Sequence, residues 1–293
     1  MQDVIKQLEK MKVKKILIQV PEGLKAKAVE FSSRLEKAGF ETVISCEENF
    51  GACDIRDDEA VRMGCGAVLH IGHNDFGIKA AVPVVYHDYY FDIDPTNILK
   101  KEMKKLGNYK RIGLFSSLQF LKAMDRAKKY LEKNGKKIVV GKEGMECEGQ
   151  VLGCRLQNVK SIEDKVDCFL YVGAGLFHPL GAALETEKPV YTLDVEKRTI
   201  KNLKEEKMKY LKKRAWFESE LEEAKTVGIL VSWKKGQNRV SEAFKLKKKL
   251  EKNGKKVTIL AFDKIDKVKI EGMKFDVLVT MACPRMGDEY IFH

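Results

Sequence analysis

The sequence has no run of about 18 apolar residues, the length a helix needs to cross a bilayer, so no membrane span is expected. Its first stretch, MQDVIKQLEKMKVKK, lacks the apolar core and small-residue cleavage site of a secretory signal and reads as a short charged helix. A cytoplasmic location follows as the expectation. The cytosol keeps thiols reduced, so the seven cysteines are expected to be free thiols or metal ligands. Their odd number agrees with the lack of a disulfide framework.

What is present fits a globular chain. Its 293 residues exceed the usual span of one hydrophobic core, and 44% hydrophobic content suffices for a packed interior. The formal charge of +12 comes largely from lysines spread along helical stretches, where they read as solvated faces. A second reading is a basic field that helps capture an anionic ligand or an acidic or nucleic-acid-bearing partner. Direct binding of nucleic acid is not expected.

A threefold repeat organises the chain. KKILIQV (14–20), a helical stretch and LEKAGFETVIS (35–45) read as strand, helix, glycine-capped turn and strand. YKRIGLF (109–115) with LEKNGKKIVVG (131–141) repeats the pattern, and so does KTVGILV (225–231) with LEKNGKKVTIL (250–260). Third strands are expected in CGAVLHIGHNDF (65–76), DCFLYVGAGLFHP (167–179) and FDVLVTMACPR (275–285), and fourth strands in VPVVYH (82–87) and KPVYTLDV (188–195). Strands alternating with helices predict three similar small α/β domains, each a mostly parallel sheet flanked by helices. The predicted domains are 1–107, 108–222 and 223–293. Residues 199–226 are predicted to be a connecting helix. The chain stops ten residues after Cys283, leaving DEYIFH where a fourth strand is expected: either that tail serves or the third domain is truncated.

Ligands of open α/β sheets bind beyond the C-terminal ends of the strands, which directs attention to the loops there. Cys53 (GACD) and Cys154 (GQVLGC) follow the second strands of the first two repeats, and Cys283 (ACPR) follows a third strand. Cys46, Cys65, Cys147 and Cys168 lie at or inside strands, where packing is the expected role. The two Cys-Glu-x5-Cys pairs at 46–53 and 147–154 could instead hold zinc, although their spacing exceeds that of common zinc knuckles. Three thiolates from three domains suit a 4Fe-4S cluster with one iron left open to substrate. The CxxxCxxC run of common radical S-adenosylmethionine (SAM) enzymes is missing. His178 and His73 end third strands, where they orient a ligand or hydrogen-bond a loop. In VSWKKGQNR (231–239), Gly236 permits close backbone approach, while Lys235 and Gln237 could face an anion at a helix N-terminus; plain turn chemistry is the alternative. Arg285 could clamp a carboxylate or form a surface salt bridge.

GACD, GQVLGC, GLFHPLG, VSxKKGQ and ACPR occur in an order that resembles the archaeal diphthamide biosynthesis protein 2 family, over nearly the whole chain from PEGL (21–24) to ACPR. The resemblance implies a homodimer of three-domain subunits arranged around a central 4Fe-4S cluster held by Cys53, Cys154 and Cys283. It implies an atypical radical SAM enzyme that cleaves the sulfur–γ-carbon bond of SAM and releases methylthioadenosine. The 3-amino-3-carboxypropyl group then passes to C2 of a histidine imidazole in translation elongation factor 2, with an external electron donor. Lys235, Gly236, Gln237, Arg285 and His178 are the expected SAM contacts. Family members continue past ACPR with another strand and tail, so this chain departs from them there. The competing expectations are a zinc-stabilised α/β RNA- or ribosome-binding protein and a non-catalytic family partner.

Overall fold

The structure, a computed structural model, describes residues 1–266 and 268–283. In chain order the elements are α1 (Gln2–Lys10), β1 (Lys15–Gln19), α2 (Lys25–Glu36), β2 (Glu41–Ile44), α3 (Asp57–Arg62), β3 (Ala67–Ile71) and β4 (Val84–His87). Next come α4 (Thr96–Glu102), β5 (Arg111–Phe115), α5 (Leu121–Lys133), β6 (Lys137–Val140), α6 (Gln157–Lys160), β7 (Cys168–Gly173), α7 (Phe177–Glu185), β8 (Val190–Asp194) and β9 (Thr199–Asn202). The last are α8 (Lys204–Glu223), β10 (Thr226–Ser232), α9 (Val240–Lys252), β11 (Lys256–Phe262) and β12 (Val277–Thr280).

Among the described residues the strands form sheets ordered β2-β1-β3-β4, β6-β5-β7-β8-β9 and β11-β10-β12. The first strand of each repeat sits between its second and third, with parallel pairing throughout these sets. The α/β class and parallel sheets predicted from sequence are therefore present. The repeat extends to single hydrogen bonds. After α2, α5 and α9, Gly39, Gly135 and Gly254 have φ of +91°, +78° and +81° and donate to Glu36, Glu132 and Glu251. The following residue donates to Leu35, Leu131 or Leu250, closing the helix so the next strand can begin. Strand burial explains the apolar runs: every residue of β3 and β7 is buried, as expected for sheets covered on both faces.

Two features differ from expectation. Thr199–Asn202 form the antiparallel edge strand β9, paired with β8, rather than the start of the connecting helix. Thr199 and Ile200 are β-branched, and the Asn202 side chain accepts the Lys204 N–H at 2.8 Å, which starts α8. The first predicted boundary, at 107, also differs. Ile98, Leu99 and Leu106 pack in one core with Ile112, Leu114 and Leu170 of the second sheet.

The chain divides into two compact units, Met1–Tyr89 with Trp233–Asn238, and Tyr90–Ser232 with the residues from Arg239 onward. The first carries the four-stranded sheet and the second carries the other two. No helix among the described residues is long and apolar enough to cross a membrane. The DEYIFH tail lies outside the described residues.

Candidate functional site

Cys53 lies in the loop between β2 and α3. The Asn49 side chain accepts the Gly51 N–H at 2.8 Å and Gly51 O accepts the Asp54 N–H at 3.0 Å, folding a tight turn around the thiol. The segment Trp233–Asn238, which groups with this unit, packs directly on that turn. Gly236 donates its N–H to Cys53 O at 3.0 Å. A Cβ on Gly236 would sit 2.5 Å from Cys53 O and 2.7 Å from Cys53 Cα, so only glycine fits. Gln237 Nε2 donates to Cys53 Sγ at 3.5 Å.

Charge fixes the same junction. Lys234 forms an ion pair with Asp54, both side chains being buried at 3% and 2% exposure. Lys235 pairs with Asp57, whose carboxylate also accepts the Ala81 N–H. Arg56 Nε lies 3.5 Å from the other Asp54 oxygen. Beneath the turn, Gln19 Nε2 donates to Asp54 O at 2.6 Å, and Gln19 Oε1 accepts the Arg56 N–H at 3.1 Å. Gln19 Oε1 also faces His70 Nδ1 at 3.2 Å, and His70 Nε2 faces His73 Nδ1 at 3.0 Å. Because Gln19 offers an acceptor, His70 carries its proton on Nδ1 and accepts from His73 Nδ1–H. Burial holds His70 well below the ordinary histidine pKa, with a smaller contribution from His73, and desolvation lowers His73 to about 4. Both rings are therefore neutral near pH 7.

Cys154 is exposed, on a tight loop in which Leu152 and Arg155 exchange backbone hydrogen bonds of 3.2 and 3.1 Å. Ser116, just after β5, bridges Gln150 in parallel and so carries the sheet into this loop. Gly153 packs against the Phe177 ring, which a Cβ at that position would push aside. A cavity of about 360 Å³ adjoins Cys154, with Lys160, Glu185, Tyr210 and Arg214 on its walls. His178, in the first turn of α7, stacks on Tyr171 with ring centroids 6.0 Å apart. Cys283 is half-buried beyond β12, whose pairing with β10 continues through a Met281 N–H donated to Leu230 O at 2.7 Å. Arg285 lies outside the described residues.

The other thiols divide into two groups. Cys65 and Cys168 are buried, and burial raises both thiols, Cys168 to about 12, which keeps them protonated and inert. Cys147 packs half-buried against the second-sheet core. Cys46 is exposed, contrary to the packing role expected for it: β2 ends at Ile44, Ser45 is still buried with its N–H on Ile18 O, and the chain reaches solvent at Cys46. Within each unit, no three His, Cys, Asp or Glu side chains among the described residues are close enough to hold a metal ion. Cys53 belongs to the first unit, and Cys154 and Cys283 to the second.

The structure changes the reading of the Lys-Gly-Gln segment. The anion expected to meet Lys235 is the Asp57 carboxylate, and the close approach expected at Gly236 is the Cys53 backbone. Lys234, Asp54, Asp57 and Gln19 were not singled out from sequence. The only signal was complementary charge between CDIRD and WKKGQ, about 180 residues apart.

The whole chain is similar to known proteins. The family model described as "Putative diphthamide synthesis protein" matches residues 20–288. The 2-(3-amino-3-carboxypropyl)histidine synthase of Pyrococcus horikoshii is 33% identical, over 98% of this chain and 84% of that protein. The enzyme of the same name from Methanocaldococcus jannaschii is 28% identical over 99% and 84%, and subunit 1 of the Kluyveromyces lactis synthase is 26% identical over 97% and 68%. The crystal structure of Dph2 from P. horikoshii with a 4Fe-4S cluster superposes with a TM-score of 0.87 at 31% identity, covering 97% of this chain and 84% of that one. The chain therefore belongs to the diphthamide synthesis protein family, a family of synthases.

Proposed function

We propose that this chain is a 2-(3-amino-3-carboxypropyl)histidine synthase whose three repeated α/β motifs supply Cys53, Cys154 and Cys283 to a 4Fe-4S cluster. The observation that carries the proposal is the near-complete superposition on a relative crystallised with such a cluster. The donor set is chemically suitable: none of the three cysteines is fully buried, and each lies on a loop beyond a parallel strand.

When bound, the cluster supplies one electron and an open iron for the sulfonium substrate. The chain's own residues hold SAM so that its γ-carbon–sulfur bond is the one that breaks, giving methylthioadenosine and the 3-amino-3-carboxypropyl group. The acceptor is C2 of a histidine imidazole on translation elongation factor 2, which gives up its C2 hydrogen as a proton and one electron, so the transfer is redox-neutral overall and an external donor serves to bring the protein to its reduced state. Gln237, His178 and Arg285 are the proposed SAM contacts, with Lys235 and Gly236 acting behind Cys53. A homodimer in the cytoplasm completes the proposal.

The test is anaerobic. Reduced, cluster-loaded protein incubated with SAM and elongation factor 2 should add one aminocarboxypropyl group per factor, read as a mass increase, and release methylthioadenosine. Methylthioadenosine formation that depends on Cys154 supports the reading. A colourless protein that retains one zinc and leaves the factor unmodified overturns it in favour of a zinc-stabilised binding protein. A brown protein that leaves the factor unmodified would be a non-catalytic family partner.

A further inference from the structure

The Lys-Lys-Gly-Gln segment is built around a thiol. Lys234 and Lys235 could each place a cation beside Cys53, yet the Lys234 ammonium is taken by Asp54 and the Lys235 ammonium by Asp57. A donor to the sulfur is the uncharged carboxamide of Gln237, itself only 7% exposed. Its position is set by the Gly236 N–H on Cys53 O and by the absent Gly236 Cβ, which together bring residue 237 over the sulfur. Lys234 also lies over the Phe50 ring, 5.2 Å from its centroid, so its head is held from two sides.

We infer that Gln237 is a positioning residue for Cys53 that tunes the bound cluster through an N–H···S hydrogen bond, with the buried Lys234–Asp54 pair locking the segment that carries it. This rests on the reading that Cys53 ligates iron. A hydrogen bond to a ligand sulfur stabilises the reduced, more negative cluster and so raises its potential. A carboxamide does this without adding a full charge. The lysines flanking it hold the loop, while their charge is spent on the two aspartates.

The test compares anaerobically reconstituted full-length wild type, Gln237→Leu, Gln237→Glu, Lys234→Met and Cys53→Ala. Iron content, redox titration and the electron paramagnetic resonance spectrum of the reduced protein are the readouts. Gln237→Leu should retain its iron but titrate at lower potential with altered g-values. Gln237→Glu, which loses the donor and adds a negative charge, should titrate lower still. Lys234→Met should lose iron to a chelator several-fold faster than wild type. An unchanged potential and spectrum in iron-replete Gln237→Leu overturns the inference; if that variant does not hold iron, an unchanged Gln237→Glu does so. A Cys53→Ala protein with the cluster and spectrum of wild type would instead overturn the ligand reading beneath it.

Discussion

Lys234 and Asp54, 180 residues apart in sequence, meet as an ion pair with both side chains almost fully removed from solvent. Removing one partner leaves an uncompensated buried charge, which typically costs about 3–5 kcal/mol, whereas replacing both by apolar groups of similar size is often near neutral. Asp54→Leu should therefore lower the unfolding free energy more than Lys234→Met, because Asp54 keeps Arg56 Nε at 3.5 Å when Lys234 is removed, while the double variant recovers only the part of the loss that belongs to the Lys234–Asp54 pair. A double-mutant cycle by denaturant unfolding of the metal-free protein measures the coupling.

Gly236→Ala places a methyl group against the Cys53 backbone, which cannot rotate away as a side chain would. Overpacking of this kind costs about 1–3 kcal/mol. The variant should show a lower Tm and less iron per chain after reconstitution. Full iron occupancy with an unchanged Tm would contradict the packing described here.

Alkylation should sort the thiols by environment. In metal-free protein Cys46 and Cys154, both exposed, should react first, while Cys65 and Cys168, buried and held protonated, should react only on unfolding. Loading with iron and sulfide should protect Cys154 and leave Cys46 reactive. Protection of Cys46 together with Cys154, read by peptide mass spectrometry, would point to the zinc arrangement of the two Cys-Glu-x5-Cys pairs.

The His70–His73 pair predicts a pH dependence with a definite sign. Folded His73 is lowered to about 4 from an ordinary 6.5, and burial holds His70 well below 6.5 as well, so between pH 6.5 and 4 the unfolded chain binds more protons. Stability from this pair is complete above pH 6.5 and is lost as pH falls toward 4, on the order of 3 kcal/mol for His73. His73→Gln keeps a donor for His70 Nε2 but cannot charge. Its unfolding free energy should depend less steeply on pH between 6.5 and 4 than that of wild type, measured by urea unfolding across that range.

Much of the architecture was legible because it is local. The Leu-Glu-Lys endings, with Gly39, Gly135 and Gly254 behind them, announce the same helix stop, and the apolar runs of β3 and β7 announce buried parallel strands. The edge strand β9 was not legible, since TIKN is too short and too polar to stand out from the charged helix that follows it. Cys46 was misread because nothing in its own neighbours shows that β2 ends two residues before it.

By itself the sequence determined the repeat, the α/β class and the candidate cysteines on loops beyond strands, all of which depend on periodicity and spacing along the chain. Only the tertiary structure decided what Lys-Lys-Gly-Gln does. Its lysines, glycine and glutamine each take a partner from Cys53, Asp54 and Asp57, residues distant in sequence. Hydrogen bonds, ion pairs and steric contacts act over a few ångströms of space, and a distance of that kind appears only after the chain has folded.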